Sequence, residues 1–201
     1  MIAIIDYGTG NLRSVQKAFE RVGADTCITD KPEDIYSAQK IVLPGVGAIL
    51  PAMKRLETLG FVEPIKAVIK SGKPFLGICL GLQLLFEQSE EGGSIPTLSV
   101  LPGKVKPFQR LKVPHMGWNE IEIKKPGCPL LKGIPALTNF YFCHSFFVEP
   151  NEKNLIATET QYGQPFVSSI WKDNIFAVQF HPEKSQDAGL TILKNFCQLK
   201  P

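Results

Sequence analysis

The first half of the chain alternates short apolar runs with segments whose apolar residues recur at helical spacing. The runs that predict buried β-strands lie at residues 2–5, 25–29, 40–43 and 73–78. The segments that predict helices lie at residues 12–22, 49–59, 62–69 and 80–90. Strands separated by helices usually pair in parallel, so this pattern predicts an open α/β sheet.

After about residue 92, glycines and prolines separate shorter strands. The predicted strands lie at residues 100–108, 118–123, 140–143, 166–170 and 175–180. Short turns such as the one at 171–176 predict antiparallel hairpins added to the sheet, and a last helix is predicted at about 187–199. With no internal repeat or linker, the predicted fold class is a single α/β domain over residues 1–201. Its open, mixed (mostly parallel) sheet is flanked by helices.

Composition narrows the possible partners. The chain has 201 residues, of which 44% are apolar and 20% charged, as in an ordinary globular protein. The net charge is only +3, and Lys and Arg form no stripe with aromatic residues, so no nucleic-acid partner is expected. No apolar stretch approaches the roughly 18 residues of a membrane span. The first apolar run ends at Asp6 without a basic leader, so no membrane contact and no secretion are expected.

The cysteines and histidines argue against disulfides and metals. Five cysteines are an odd number at irregular spacings, without a CxxC pair, which favours reduced thiols in the cytoplasm. The three histidines lie far apart, and no Cys/His pair has zinc-finger spacing. We therefore expect neither a metal nor a cofactor.

One cysteine has an unusual setting. Cys79 lies between Gly77 and Gly81, where a predicted strand passes into a predicted helix. Glycines on both sides relieve the crowding of a sharp strand-to-helix turn, as in the nucleophile elbow of serine hydrolases. A helix N-terminus would also favour the thiolate. Cys79 is thus the candidate nucleophile, the alternative being a small buried residue. The other four cysteines are interpreted as structural.

A thiol nucleophile needs a base, and the base needs an orienting group. His181 follows an apolar strand, and Glu183 comes two residues later. In extended backbone these two side chains point to the same side, and Pro182 biases His181 away from helix. His181 is the candidate base and Glu183 its partner; the alternative is an ordinary surface turn.

The tetrahedral intermediate of acyl transfer needs two N–H donors. The backbone of Leu80, directly after the nucleophile, is one candidate. The loop 44–48 follows a strand, and its glycines let backbone approach a ligand. Val46 and Gly47 are the candidates for the second donor, although many strands end in Gly-rich loops.

Six motifs carry a resemblance to a known family. The segments GICLGLQLLFEQSEE (77–91), PGVGA (44–48) and QFHPEKS (179–185) resemble class I (triad-type) glutamine amidotransferases. The segments DYGTGNLRS (6–14), PHMGWNE (114–120) and FCHSF (142–146) resemble the glutaminase subunits of imidazole glycerol phosphate synthase. The similarity covers residues 2 to about 196, and the catalytic pattern has no break.

The resemblance implies hydrolysis of glutamine to glutamate and ammonia. Cys79 would attack the side-chain amide, His181 would shuttle protons, Glu183 would orient His181, and water would release the thioester. The resemblance also places Gln83, Glu91 and the backbone near Ser145 at the amino-acid end of glutamine. For Gln83 and Glu91 the alternative is an exposed helix face.

The family also implies a partner. Ammonia would pass to a (β/α)8 cyclase subunit, which makes imidazole glycerol phosphate and an aminoimidazole carboxamide ribotide in histidine biosynthesis. Asn11, Trp118 and Lys184 match positions that face this cyclase in a heterodimer. Their alternatives are a helix cap, a core tryptophan and a solvated lysine.

Two other functions remain open. One is another glutaminase of the same class, such as that of pyridoxal phosphate synthase, although GNLRS and PHMGWN favour histidine biosynthesis. The other is a peptidase-like thiol hydrolase, or a non-catalytic subunit that only docks. Intact Cys79, His181 and Glu183 argue against the non-catalytic version.

Overall fold

The computed structural model describes residues 1–200. The strands are β1 (Ile2–Ile5), β2 (Thr26–Thr29), β3 (Lys40–Gly45), β4 (Phe75–Cys79), β5 (Gln88–Ser89), β6 (Ile95–Pro96), β7 (Gly103–Pro107), β8 (His115–Glu120), β9 (Glu122–Ile123), β10 (Asn139–His144), β11 (Phe146–Pro150), β12 (Ile156–Tyr162), β13 (Gln164–Lys172) and β14 (Ile175–Val178). The α-helices are α1 (Leu12–Arg21), α2 (Asp34–Ser37), α3 (Ile49–Thr58), α4 (Val62–Lys70), α5 (Leu80–Gln83) and α6 (Gln186–Gln198). Short 3-10 helices lie at Pro129–Leu131, Lys153–Leu155 and Pro182–Lys184.

One large sheet organises the chain. Its strands run in the order β2-β1-β3-β4-β14-β13-β11-β7-β5-β6, and β12 and β9 join it beside β13. The first five strands of this order pair in parallel, whereas β14 and β13 form an antiparallel hairpin. Strands β8 and β10 form a separate antiparallel ribbon. The prediction of an open, mixed α/β sheet is confirmed.

The core lies on both faces of the sheet. Adjacent residues on a strand point to opposite faces, so Ile5 and Leu43 join one apolar cluster while Ile4 and Val42 join the other. The first cluster includes residues of α3 and α4, and the second includes residues of α1 and α6. Burial on both faces explains why the parallel strands are almost entirely apolar.

The helix predicted at 80–90 is wrong beyond its first turn, because α5 ends at Gln83. The carbonyls that would continue the helix accept hydrogen bonds from a later loop. Leu84 accepts from Leu98 and Leu85 accepts from Val100, both at 2.9 Å. The following residues then form β5, which pairs with β6 and β7. The apolar periodicity of this segment therefore reports burial and not helix.

The apolar pattern does not predict α2 or the strands β5, β6, β11 and β12. In β12 the reason is clear, since its inward positions include polar residues. Thr158 is fully buried, and its hydroxyl hydrogen-bonds to Ser168 at 2.8 Å and to Ser169 at 2.7 Å. A buried strand whose polar side chains satisfy one another leaves no apolar alternation to detect.

Residues 1–200 contain neither a membrane-spanning helix nor a cluster of metal ligands. None of the helices is long and apolar enough to cross a membrane. In the same part of the chain, no cluster of three or more His, Cys, Asp or Glu side chains could hold a metal ion.

Candidate active site

Three neighbouring parallel strands bring the predicted site residues together. Strand β4 lies between β3 and β14, and Gly45 at the end of β3 is in register with Cys79 at the end of β4. On the other side, Val178 of β14 is in register with Ile78. The segments that follow β3, β4 and β14 therefore meet at one carboxyl edge of the sheet, where open α/β folds bind ligands.

Cys79 has the backbone conformation of an elbow. Its φ is +55° and its ψ is −105°, which is strained for a residue with a side chain. A Cβ atom on Gly77 would lie 2.7 Å from the carbonyl oxygen of Gly81, and a Cβ atom on Gly81 would overlap the carbonyl of Leu43. Both glycines are thus required by close backbone contact, and the predicted elbow is confirmed.

His181 and Glu183 form a buried pair. His181 Nδ1 lies 2.8 Å from Glu183 Oε1, and each side chain is only 3% exposed. The backbone differs from the predicted extended path, because Pro182–Lys184 forms one turn of 3-10 helix after an extended His181. The turn is closed by hydrogen bonds from Lys184 N–H and the Ser185 hydroxyl to the carbonyl of His181. The predicted contact forms through this turn.

The surroundings of His181 favour its charged form. Burial lowers its pKa, but hydrogen bonds to Cys79 and Glu183 and their negative charges raise it further than burial lowers it. The net effect raises the pKa of His181 to about 10. The predicted help from a helix N-terminus is smaller than expected, because four residues of α5 align few peptide dipoles. The imidazolium of His181 is the positive charge that adjoins the Cys79 sulfur.

A cavity of about 280 Å³ opens above Cys79. The predicted site residues that line it are Val46, Gly47, Cys79, Leu80, Gln83, Glu91, Ser145, His181 and Lys184. Glu183 is not among the lining residues and contacts His181 Nδ1. Pro114, Cys143, His144 and Phe146 also line the cavity. None of these four was predicted as a site residue, and Cys143 was interpreted as a structural thiol.

The backbone groups predicted as oxyanion donors lie at this cavity. Leu80 is the first residue of α5, where the N–H group has no partner within the helix. Val46 and Gly47 line the cavity from the loop after β3, and Gly47 has a φ of +90°. Positive φ at Gly47 lets this loop turn sharply above the sulfur.

Gln83 and Glu91 are held by hydrogen bonds. Gln83 is only 4% exposed, which excludes the exposed helix face as its setting. Its Nε2 donates to the carbonyl of Phe146 and to Gln179 Oε1, each at 3.0 Å. Glu91 Oε2 accepts the N–H of Ile49 at 2.7 Å. Glu91 thus connects the first turn of α3 to the cavity wall.

The family model described as "Glutamine amidotransferase class-I" matches residues 3–199. The chain belongs to this family. Imidazole glycerol phosphate synthase subunit HisH of Syntrophotalea carbinolica is 52% identical over 204 residues, covering 98% of each chain. The protein of the same name from Geobacter metallireducens is 52% identical and covers 99% of this chain and 98% of its own.

Solved structures agree on the fold. A crystal structure described as a glutamine amidotransferase superposes with a TM-score of 0.77 at 17% identity, covering 98% of this chain and all of the other. The PurLQS structure from Thermotoga maritima gives a TM-score of 0.76 at 16% identity, covering 98% of this chain and 96% of that one. At these identities the likeness concerns the class I amidotransferase fold alone.

The three residues predicted to face a partner are all at the surface of this amidotransferase. Asn11 caps α1, with its side chain accepting the N–H of Ser14 at 3.3 Å. Trp118 is 48% exposed, which excludes the alternative of a core tryptophan. Its ring lies 6.2 Å from that of Tyr141, and Lys184 Nζ lies 5.7 Å from the same ring. Trp118 and Lys184 therefore belong to one surface patch around Tyr141.

A buried histidine pair beside the cavity was not predicted from the sequence. His115 Nδ1 lies 2.9 Å from His144 Nε2, and His144 Nδ1 lies 2.8 Å from the carbonyl of Phe146. Asn119 Nδ2 lies 3.2 Å from His115 Nε2. Burial lowers the pKa of His115 to about 4 and that of His144 to about 3. The only sequence signal was that His115 and His144 lie within the quoted family motifs.

The partners of this pair determine its tautomers. A carbonyl can only accept, so His144 carries its proton on Nδ1 and presents an unprotonated Nε2. His115 then donates from Nδ1 and accepts the Asn119 amide at Nε2. Each contact is satisfied only when both rings are neutral, in agreement with the lowered pKa of each.

Proposed function

We propose that this chain hydrolyses glutamine to glutamate and ammonia and supplies the ammonia to the cyclase subunit of an imidazole glycerol phosphate synthase in histidine biosynthesis. One domain over residues 1–201 performs the hydrolysis. The main support for this proposal is the buried His181–Glu183 pair, which lies beside the elbow residue Cys79 at a small cavity. The relatives named HisH, which are similar over their full length, support the pathway.

The reaction begins at Cys79. Its thiolate attacks the side-chain carboxamide carbon of glutamine and forms a tetrahedral intermediate. The negatively charged oxygen accepts hydrogen bonds from the backbone N–H of Leu80 and from a backbone N–H of the Val46–Gly47 loop. One such donor raises the rate by about 100- to 1,000-fold. The proton held by His181 then passes to the leaving nitrogen, and ammonia departs.

A water molecule completes the turnover. Neutral His181 takes a proton from the water, which attacks the thioester and releases glutamate with regeneration of the Cys79 thiolate. Glu183 holds the Nδ1–H tautomer of His181 and stabilises the imidazolium in each half-reaction. The short separation of His181 Nδ1 and Glu183 Oε1, 2.8 Å, supports this role.

The cavity favours a single free amino acid. Its volume of about 280 Å³ lies at the lower end of small-molecule sites. Gln83 uses its Nε2 within the protein, so its Oε1 is free to accept the substrate ammonium. Glu91 and the backbone near Ser145 complete the contacts with the amino-acid end of glutamine.

The partner is a (β/α)8 cyclase that forms a heterodimer with this chain, and the complex acts as a lyase. Asn11, Trp118 and Lys184 form part of the contact surface. The exposed Trp118 supports this proposal, since tryptophan is enriched at protein interfaces. Five free thiols support a reducing compartment, and we assign the chain to the cytoplasm.

The deciding experiment follows glutamate release from glutamine by the chain alone and with a histidine-pathway cyclase. We expect hydrolysis that depends on Cys79 and rises with the cyclase and its nucleotide ligand. The Cys79→Ala variant should lose glutamine use while the complex still makes product from added ammonia. Cleavage of peptides in place of glutamine, or activation only by a pyridoxal phosphate synthase partner, would contradict the proposal.

A further inference from the structure

A buried amide lies beside the nucleophile and has no role in the mechanism above. Gln179 directly follows β14, is fully buried, and its backbone N–H donates to the carbonyl of Ser168 at 2.9 Å. Its side-chain Nε2 lies 3.7 Å from Cys79 Sγ, within range for a hydrogen bond to sulfur. A polar group placed at full burial beside a reacting atom needs a physical reason.

We propose that Gln179 is a further catalytic residue, which donates an N–H hydrogen bond to Cys79 and holds the sulfur as a thiolate. Gln83 is the positioning residue that orients it. The proposal rests on the proposed function only in taking Cys79 as the nucleophile.

The orientation of Gln179 follows from its neighbours. The carbonyl of Phe146 can only accept, so the group of Gln83 that lies 3.0 Å from it is the NH₂. The other N–H of that NH₂ donates to Gln179. The acceptor on Gln179 must be its side-chain carbonyl oxygen, which also lies 3.0 Å away. The remaining end of Gln179 is therefore its NH₂, and this end faces Cys79.

The carbonyl oxygen of Phe146, which orients Gln83, has no lone pair left to accept another hydrogen bond. The Phe146 carbonyl has two lone pairs, and it accepts one hydrogen bond from Gln83 and a second from His144 at 2.8 Å. Neither donor can rotate away without leaving a buried group unpaired, which is costly. Gln179 is thus held in one orientation before any substrate binds.

Besides His181, the Cys79 sulfur has two polar neighbours of opposite type. The carbonyl of Cys143 lies 3.9 Å from Cys79 Sγ and can only accept, so it suits a thiol. The NH₂ of Gln179 can only donate, so it suits a thiolate. Hydrogen bonding to the charged form stabilises it, and a donor to a charged group shifts the thiolate-to-thiol ratio by about tenfold or more.

Other titratable groups also face the sulfur. His181 adjoins it from the segment after β14, with Glu183 behind the ring. The phenol of Tyr7 lies near it from the segment after β1, where burial raises its pKa and keeps it neutral. Glu91 and Lys184 line the same cavity. All five remain when Gln179 is changed, so a shift caused by the change reports on Gln179.

The test measures thiolate formation at Cys79 in the isolated protein. Iodoacetamide alkylation is followed against pH and located by mass mapping in the parent, Gln179→Met and Gln179→Glu. Methionine keeps the length without a donor, and glutamate adds a negative charge. We expect the midpoint to rise by about one pH unit for Gln179→Met and further for Gln179→Glu, with labelling at pH 7 slowed about tenfold or more.

Two controls separate the proposal from general damage. Gln198→Glu changes an exposed glutamine near the end of α6 and should leave the midpoint unchanged. Labelling requires no glutamine, so it can succeed even if the chain acts on another substrate. A folded Gln179→Met variant with the parent midpoint would overturn the proposal.

A measurement on the unmutated chain covers the case in which the variants fail to fold. By NMR, the side-chain NH₂ resonance of Gln179 should move with pH along the same titration as Cys79. In Cys79→Ala this movement should disappear. A resonance that does not respond to pH in the parent protein would equally overturn the proposal.

Discussion

His181 and the His115–His144 pair are similarly buried, at 2%, 4% and 5% exposed, but their charge states are opposite. The pKa of His181 is raised to about 10, whereas those of His115 and His144 are lowered to about 4 and about 3. Burial lowers all three. The difference is that His181 contacts a carboxylate and a sulfur, while the pair contacts an amide, a carbonyl and each other.

Burial alone would keep all three histidines neutral, so the charge of His181 comes from its partners. A ring beside Glu183 can hold and return a proton, as acid–base chemistry requires. The ring of His144 has only neutral partners, so it keeps one tautomer. It connects β10 to His115 of β8 and to Phe146 of β11. Each of the following predictions tests that division of roles.

The largest expected effect is the difference in kcat between a variant that lacks His181 and a variant that lacks His144. His181→Ala removes the proton carrier, so kcat for glutamine hydrolysis should fall by about 1,000-fold or more. His144→Gln should lower kcat by no more than about tenfold, because that ring contacts no reacting atom. Glutamate release by the complex with the cyclase measures both. Equal losses in the two variants would contradict the division.

The next largest effect on kcat should come from removing the charge of the Glu183 carboxylate. Glu183→Gln keeps the shape but removes the charge that stabilises the imidazolium, so kcat should fall by about 100-fold, less than for His181→Ala. The exposed Glu57 offers the matched control Glu57→Gln, which should be neutral. Parent activity in Glu183→Gln would show that Glu183 is not the orienting group.

A smaller effect is expected in the free energy of unfolding at acid pH, when one histidine of the His115–His144 pair is replaced. His115 and His144 have lowered pKa values in the folded chain, so the unfolded chain binds more protons between about pH 6.5 and pH 4. Their contribution is therefore present at neutral pH and is lost as pH falls through this range. His144→Gln should reduce this acid loss by about 2 kcal/mol.

Urea unfolding of the parent and of His144→Gln at pH 7 and pH 4.5 measures that difference. Both chains carry the same carboxylates, so the acid titration of Asp and Glu cancels in the comparison. An identical acid loss in the two chains would mean that His144 is charged in the folded state.

The smallest effect should have the opposite sign, on the alkaline side. His181 has a raised pKa, so its contribution to stability is complete below about pH 6.5 and is lost as pH rises toward about 10. Glu183→Gln should diminish this alkaline loss by about 1 kcal/mol. Urea unfolding at pH 7 and pH 9.5 provides the measurement, and an unchanged loss would separate Glu183 from the charge of His181.

The elbow and the His–Glu pair could be predicted because their parts lie close together in the chain. Gly77, Cys79 and Gly81 lie within one turn, and His181 and Glu183 lie two residues apart. Local sterics and spacing therefore suffice. The length of α5 could not be predicted, because its end depends on hydrogen bonds from Leu98 and Val100.

The amino-acid sequence alone specifies the α/β class, the elbow and the triad candidates, because apolar periodicity and short spacings act through local geometry. The rest of the site depends on tertiary contacts. His115 meets His144 because β8 and β10 pair in that register, and Gln179 reaches Cys79 across 100 residues. Such contacts depend on strand register and buried hydrogen-bond direction, which no local pattern encodes.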